Sequence, residues 1–171
     1  MHKAHKAQSR QQTVDTVREC SSSPCWMHEV DPSYLGYWSK EEIVAFLKSL
    51  LEQERIGTRA FADIGRAADL RIADLILESE LDQGSICILL QREIANRGAA
   101  VAVPRKHPTD ELRVKLNLEQ AVASARSNQT ELIHTIEEAV LNILDSELNS
   151  HITKILQLHR KQIEQLKTLL T

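Results

Sequence analysis

The sequence predicts an all-α protein, a four-helix bundle preceded by an extended N-terminal arm. Glycine and proline are scarce, five and four in 171 residues. Most of them lie before Ser39 or between Gly98 and Pro108, which leaves long uninterrupted stretches rich in Ala, Leu, Ile, Glu and Lys. Within those stretches apolar residues recur at alternating spacings of three and four, the period of a helix with one buried face. An aromatic content of only 4% argues against a sandwich or barrel, whose strands favour aromatic residues.

The arm comes first and spans residues 1–38, with the bundle in 39–171. Its first twenty residues are polar and read as disordered or fraying. The following CSSSPCWMHEVDPSYLGYW holds both tryptophans and both tyrosines. Two prolines and a glycine prevent a helix there, so Trp26, Tyr34, Leu35 and Tyr37 are expected to lie on the bundle. Cys20, Cys25 and His28 are three zinc-type ligands, but no fourth follows at a recognisable spacing. They read instead as an apolar Cys25 tucked under the arm and a His28 bonded to backbone.

The first helix opens at Ser39, which with Glu42 three residues later forms a capping box. Its stripe is Ile43, Leu47, Leu50, Glu54, Gly57, Phe61, Ile64 and Ala68. Asp69 caps a second helix running from Leu70 to about Arg97 and stopped by Gly98. Two rows compete for its core side: Leu70, Ala73, Leu77, Glu80, Gly84, Cys87, Gln91 and Ile94, or Ile72, Ile76, Gln83, Ile86 and Leu90. Its rotation is therefore open. Cys87 reads as a small core hydrophobe.

Gly98–Pro108 is the only substantial break in the helical body. Eleven residues reach about 36–40 Å, against about 42 Å for a 28-residue helix. Both a crossover along the bundle and a slack turn are open. Asp110 is expected to cap a third helix, from Glu111 to about Leu144, with the stripe Leu118, Val122, Ala125, Gln129, Leu132, Ile136, Val140 and Ile143. Asp145 or Ser146 can cap the last, whose stripe is Leu148, Ile152, Ile155, His159, Ile163, Leu166 and Leu170.

Each stripe is interrupted once near its midpoint, by Glu54, by Glu80 or Gln83, by Gln129 and by His159. If the helices pack with their midpoints level, these side chains meet in one layer. Inward-facing polar residues at mid-height are how four-helix bundles build metal sites. Glu54, Glu80 and His159 are the candidate metal ligands, suited to one Fe, Mn or Zn ion with open positions. The same residues, with Gln83 and Gln129, can instead satisfy one another in a purely structural network, and chance alignment is a third reading. Glu131 and His134 have the Glu-x-x-His spacing of di-iron bundles, but they sit roughly 200° off the stripe and read as a solvated pair.

Three segments, SPCWMHEVDPSYLGY, LLEQERIGTRA and ILQLHRKQI, resemble the ferritin-like superfamily, and more closely a bacterial ferritin-like group with no assigned activity. The resemblance covers about Ser23 to Leu170. It implies a ferritin-like four-helix bundle and a di-metal centre built from a Glu on each of two helices and a Glu-x-x-His on each of the others. Glu54 and His159 match that pattern. Gln83 or Ile86 stands where the second helix needs His, Gln129 replaces a carboxylate, and Leu156 takes the position of the Glu partner of His159. The centre the resemblance implies is incomplete. The expected role is therefore a non-enzymatic binding or stress-associated scaffold; the alternative is a mononuclear Fe, Mn or Zn protein with redox or oxygen-related activity. No cofactor beyond such an ion is implied.

A net charge of −3 with no basic stripe gives no reason to expect nucleic acid. No apolar run approaches the ~20 residues that span a bilayer, and MHKAHKAQSRQQ lacks the apolar core of a secretory signal. With three cysteines and no disulfide framework, a cytoplasmic setting is expected. Apolar residues beyond one stripe, as on the second helix, ask for a second cover, which either the N-terminal arm with Trp26, Tyr34 and Tyr37 or a two-fold partner can supply. The arm is short against helices of about 40 Å, which favours a homodimer.

Overall fold

The computed structural model describes residues 31–101 and 116–169. Four helices make up the fold: α1 (Lys40–Ala67), α2 (Leu70–Asn96), α3 (Leu118–Asn142) and α4 (Ser146–Thr168). A short 3-10 turn at Pro32–Leu35 precedes them. The protein is an all-α four-helix bundle.

Each helix begins where its chemistry dictates. Ser39 Oγ accepts from Glu42 N while the Glu42 carboxylate accepts from Ser39 N. Those bonds hold the Glu42 carboxyl below its ordinary value of 4.5. Its contribution is therefore full above about pH 4.5 and fades as pH falls below it. Ser39→Ala is expected to lower stability by about 1 kcal/mol, read as a drop in the urea midpoint at unchanged slope. Asp69 caps α2 through Ile72 N, and Gly98, at φ +74°, turns the chain away at its end.

The third helix starts later than expected. Asn117 is its cap, in a reciprocal box with Gln120, and Leu116 and Asn117 are not helical. Asp110 and Glu111 fall outside the described residues. Asp145 caps α4 through two backbone N–H groups.

Two apolar clusters fill the core, one at each end of the bundle. The first joins Ile43–Leu51 of α1, Ile86–Ile94 of α2, Leu132–Ile143 of α3 and Leu148–Leu156 of α4. The second joins Ala60–Ile64 of α1, Ile76 of α2, Ala121–Ala125 of α3 and Leu166 of α4. The start of α1 thus shares an end with the finish of α2 and α3 and the start of α4. The helices run up, down, down, up. α1 packs on α2 and α3, and α4 packs on α3 and α2, so α2 and α3 are parallel and diagonal. The chain leaves α2 at one end of the bundle and enters α3 at the other, which resolves the choice between crossover and turn in favour of a crossover. Fully buried residues such as Leu47, Leu50, Phe61 and Ile64 each contribute roughly 1.5–3 kcal/mol relative to exposure.

The arm behaves differently from expectation over its described part. Tyr34 and Leu35 are largely exposed rather than laid on the bundle, and Tyr37 is half-buried. Contact with the core begins at Trp38, whose ring lies 5.2 Å from that of Phe46 and whose backbone N–H donates to Asn142 O. Trp26, Cys20, Cys25 and His28 lie outside the described residues. No helix among the described residues is long and apolar enough to cross a membrane.

Candidate functional site: a polar layer at mid-bundle

Between the two apolar clusters lies a layer of polar side chains. Glu54, Gln83, Gln129 and His159 are each fully buried, and Gln162 nearly so. His159 is the hub. Its Nε2 lies 2.7 Å from Glu54 Oε1 and its Nδ1 2.5 Å from Gln129 Oε1. The first bond crosses the bundle diagonal from α4 to α1, because a Glu and a His together are long enough to meet at the axis. With Gln129 presenting its carbonyl, the Nδ1–H of His159 donates to it, and a proton is shared between His159 Nε2 and Glu54 Oε1. A His–carboxyl pair at zero exposure is tolerable only with such supporting bonds, because burying polar or charged groups without partners costs several kcal/mol.

A second strand of the layer joins α2 to α4. Gln83 Nε2 donates to Gln162 Oε1 at 3.0 Å, and Ser79 Oγ donates to Gln165 Oε1 at 3.3 Å one turn away. Gly57 explains how the amides of α2 and α3 fit beside α1. A Cβ there would stand 2.9 Å from both Gln83 Oε1 and Asn128 Oδ1 and 3.5 Å from Gln129 Nε2. Only a residue without a side chain lets these groups reach the α1 backbone.

The layer is not saturated. Glu54 Oε2, Gln83 Oε1, Asn128 Oδ1, Gln129 Nε2 and Gln162 Nε2 have no hydrogen-bond partner among the described residues. Two acceptors and one donor converge above Gly57, a set that suits a small polar guest such as water, which typically takes about three bonds. Oxygen atoms from Glu54, Gln83 and Asn128 are hard donors, of the type that holds oxygen-seeking cations rather than soft ones.

Three of the four sequence-predicted positions, Glu54, Gln129 and His159, are brought into contact. On α2 the member is Gln83 and not Glu80. The helix is rotated so that the row Ile76, Gln83, Ile86, Leu90 faces the core, while Glu80 is half-buried, its carboxylate lying out toward Gly65 of α1. Glu80 therefore does not join Glu54 and His159. Among the described residues no three His, Cys, Asp or Glu side chains gather in a way that could hold a metal ion. Glu131 and His134 are exposed, as their angular position requires. The Cys87 thiol is pushed up by burial, reinforced by the Glu54 charge, which disfavours the reactive thiolate.

Sequence reasoning missed Gln162, Ser79 and Asn128, whose only signal is a polar residue one position from the expected stripe. It also missed an ionic cluster at the bundle end. Glu93, almost fully buried, receives Arg97 and lies 3.0 Å from His151 Nδ1, while Arg97 Nη2 donates to Asp145 at 2.6 Å. This cluster ties the end of α2 to the cap of α4. The Glu93–Arg97 spacing of four was its visible trace.

Residues 41–168 match the model of a domain of unknown function, DUF6306. The chain belongs to this family. The match takes in all four helices of the DUF6306 fold and every residue of its polar layer. No curated protein and no solved structure matches the chain.

Proposed function

We propose that this DUF6306 protein is a ferritin-like scaffold that works by binding rather than by catalysis, its metal centre replaced by a hydrogen-bonded layer. The single observation that carries this reading is the environment of His159. Both of its ring nitrogens are engaged, by Glu54 and Gln129, so neither is left to ligate a metal. The parallel, diagonal arrangement of α2 and α3 supports the ferritin-like part, since ferritin-like bundles use one long crossover. One observation favours a second reading, a mononuclear metalloprotein: Glu54 Oε2 has no partner among the described residues.

Elemental analysis separates the two. Full-length protein expressed in medium supplemented with Fe, Mn and Zn is expected to carry far less than one ion per chain. The scaffold reading fails if metal is near-stoichiometric and is lost in both Glu54→Ala and His159→Ala.

A further inference from the structure

The outward face of α2 carries an apolar stripe that the bundle does not use. Leu70, Leu77, Leu81 and Ile88 are between 51 and 86% exposed. At about 100° per residue they fall within roughly 20° of one line, opposite the row that enters the core. Ala73, Gly84, Gln91 and Ala95 complete the pattern, so residues along the seam recur at three and four as in a coiled coil. Gly84 is a second, independent sign. A glycine in a helix interior costs about 1 kcal/mol relative to alanine, and a Cβ there would meet nothing within 4 Å. Packing within the chain gives no reason for it; close approach of another backbone does.

The charges choose the occupant. Asp74 and Arg92 are both exposed, both stand roughly 40° from the seam on the same flank, and no ion pair involves either among the described residues. About a two-fold axis level with Asp82 and Gln83, antiparallel helices bring like flanks together. Asp74 then faces the partner's Arg92, twice over. The same register sets Leu77 against the partner's Ile88, Leu81 over the partner's Gly84, and Leu70 against the partner's Ala95. One register thus matches the apolar, small and charged positions together, which is what an isologous interface requires. We infer that the protein is a homodimer formed by antiparallel packing of α2 on its copy.

Analytical ultracentrifugation of the full-length chain tests this. The wild type is expected to sediment as a dimer, and Leu81→Glu, a change at an exposed position, as a monomer with unchanged far-UV circular dichroism. Asp74→Arg and Arg92→Asp each place like charges together at two points and are expected to weaken dimerisation at least tenfold. A mixture of the two variants is expected to form a heterodimer at wild-type strength, since every Asp74–Arg92 contact then has opposite charges. A wild-type monomer, a dimer indifferent to Leu81→Glu, or a mixture no stronger than the single variants would overturn the proposal. So would a monomer that dimerises only when residues 1–30 are removed, because that segment would then be the cover of the stripe.

Discussion

His159→Ala is expected to lower the stability of the bundle by about 3–5 kcal/mol, the usual cost of removing one member of a buried, hydrogen-bonded pair of ionisable groups and leaving the other unpartnered. Loss of the ring leaves the Glu54 carboxylate at zero exposure with neither oxygen bonded. It also strips Gln129 Oε1 of its donor and opens a cavity at the bundle axis. Chemical denaturation gives the magnitude. Glu54→Leu combined with Gln129→Met and His159→Leu is expected to recover most of the loss, because well-packed apolar residues avoid burying polar groups. Should the triple variant be as unstable as His159→Ala, the layer does more than satisfy its own members.

Gly57→Ala is expected to destabilise by about 1–3 kcal/mol, even though alanine improves helix propensity by about 1 kcal/mol. The added methyl would press on Gln83 Oε1 and Asn128 Oδ1, each 2.9 Å from it. Gln83 is held at its other end by Gln162, so relief requires the amide ends of Gln83 and Asn128 to shift inside a packed, buried layer. Gly84→Ala is the internal control, since its Cβ meets nothing and the change should not weaken the fold of one chain. Equal effects of the two substitutions on urea unfolding, measured at a concentration where both are monomeric, would show that the close approach at Gly57 is not what sets its identity.

Much of this arrangement was readable in the sequence. The stripes of α1 and α3 predicted the inward positions of Glu54 and Gln129, and the α4 stripe that of His159, because each of those helices has one clear apolar side. α2 was not readable in the same way. Leu77 and Leu81 point out while Ile76 and Leu90 point in, and a helix apolar on two sides gives periodicity nothing to choose between. The choice between Glu80 and Gln83 stayed open for that reason, since the two belong to rival rows. The start of α3 was misplaced for a similar reason. Asp110 and Asn117 are both competent caps, but only Asn117 has Gln120 to close the box. The cluster of Glu93, Arg97, Asp145 and His151 depends on how the ends of different helices meet, which local spacing does not encode.

The crossover has a consequence for how the chain folds. It divides the molecule into two helical hairpins, α1–α2 and α3–α4, each joined by a short turn and able to form from local contacts. The bonds from His159 to Glu54, from Gln83 to Gln162 and from Ser79 to Gln165 all run from one hairpin to the other. The α1–α2 hairpin holds no partner for the Glu54 carboxylate or the Gln83 amide, and the α3–α4 hairpin, although it pairs His159 with Gln129, leaves His159 Nε2 and Gln162 without theirs. Each would carry these groups bare against its partner's apolar face in any slipped docking. The polar layer therefore acts as a key between two halves: it penalises premature or misaligned association and makes completion of the fold a single cooperative event. Local stability is given up in each half so that only one way of joining them remains.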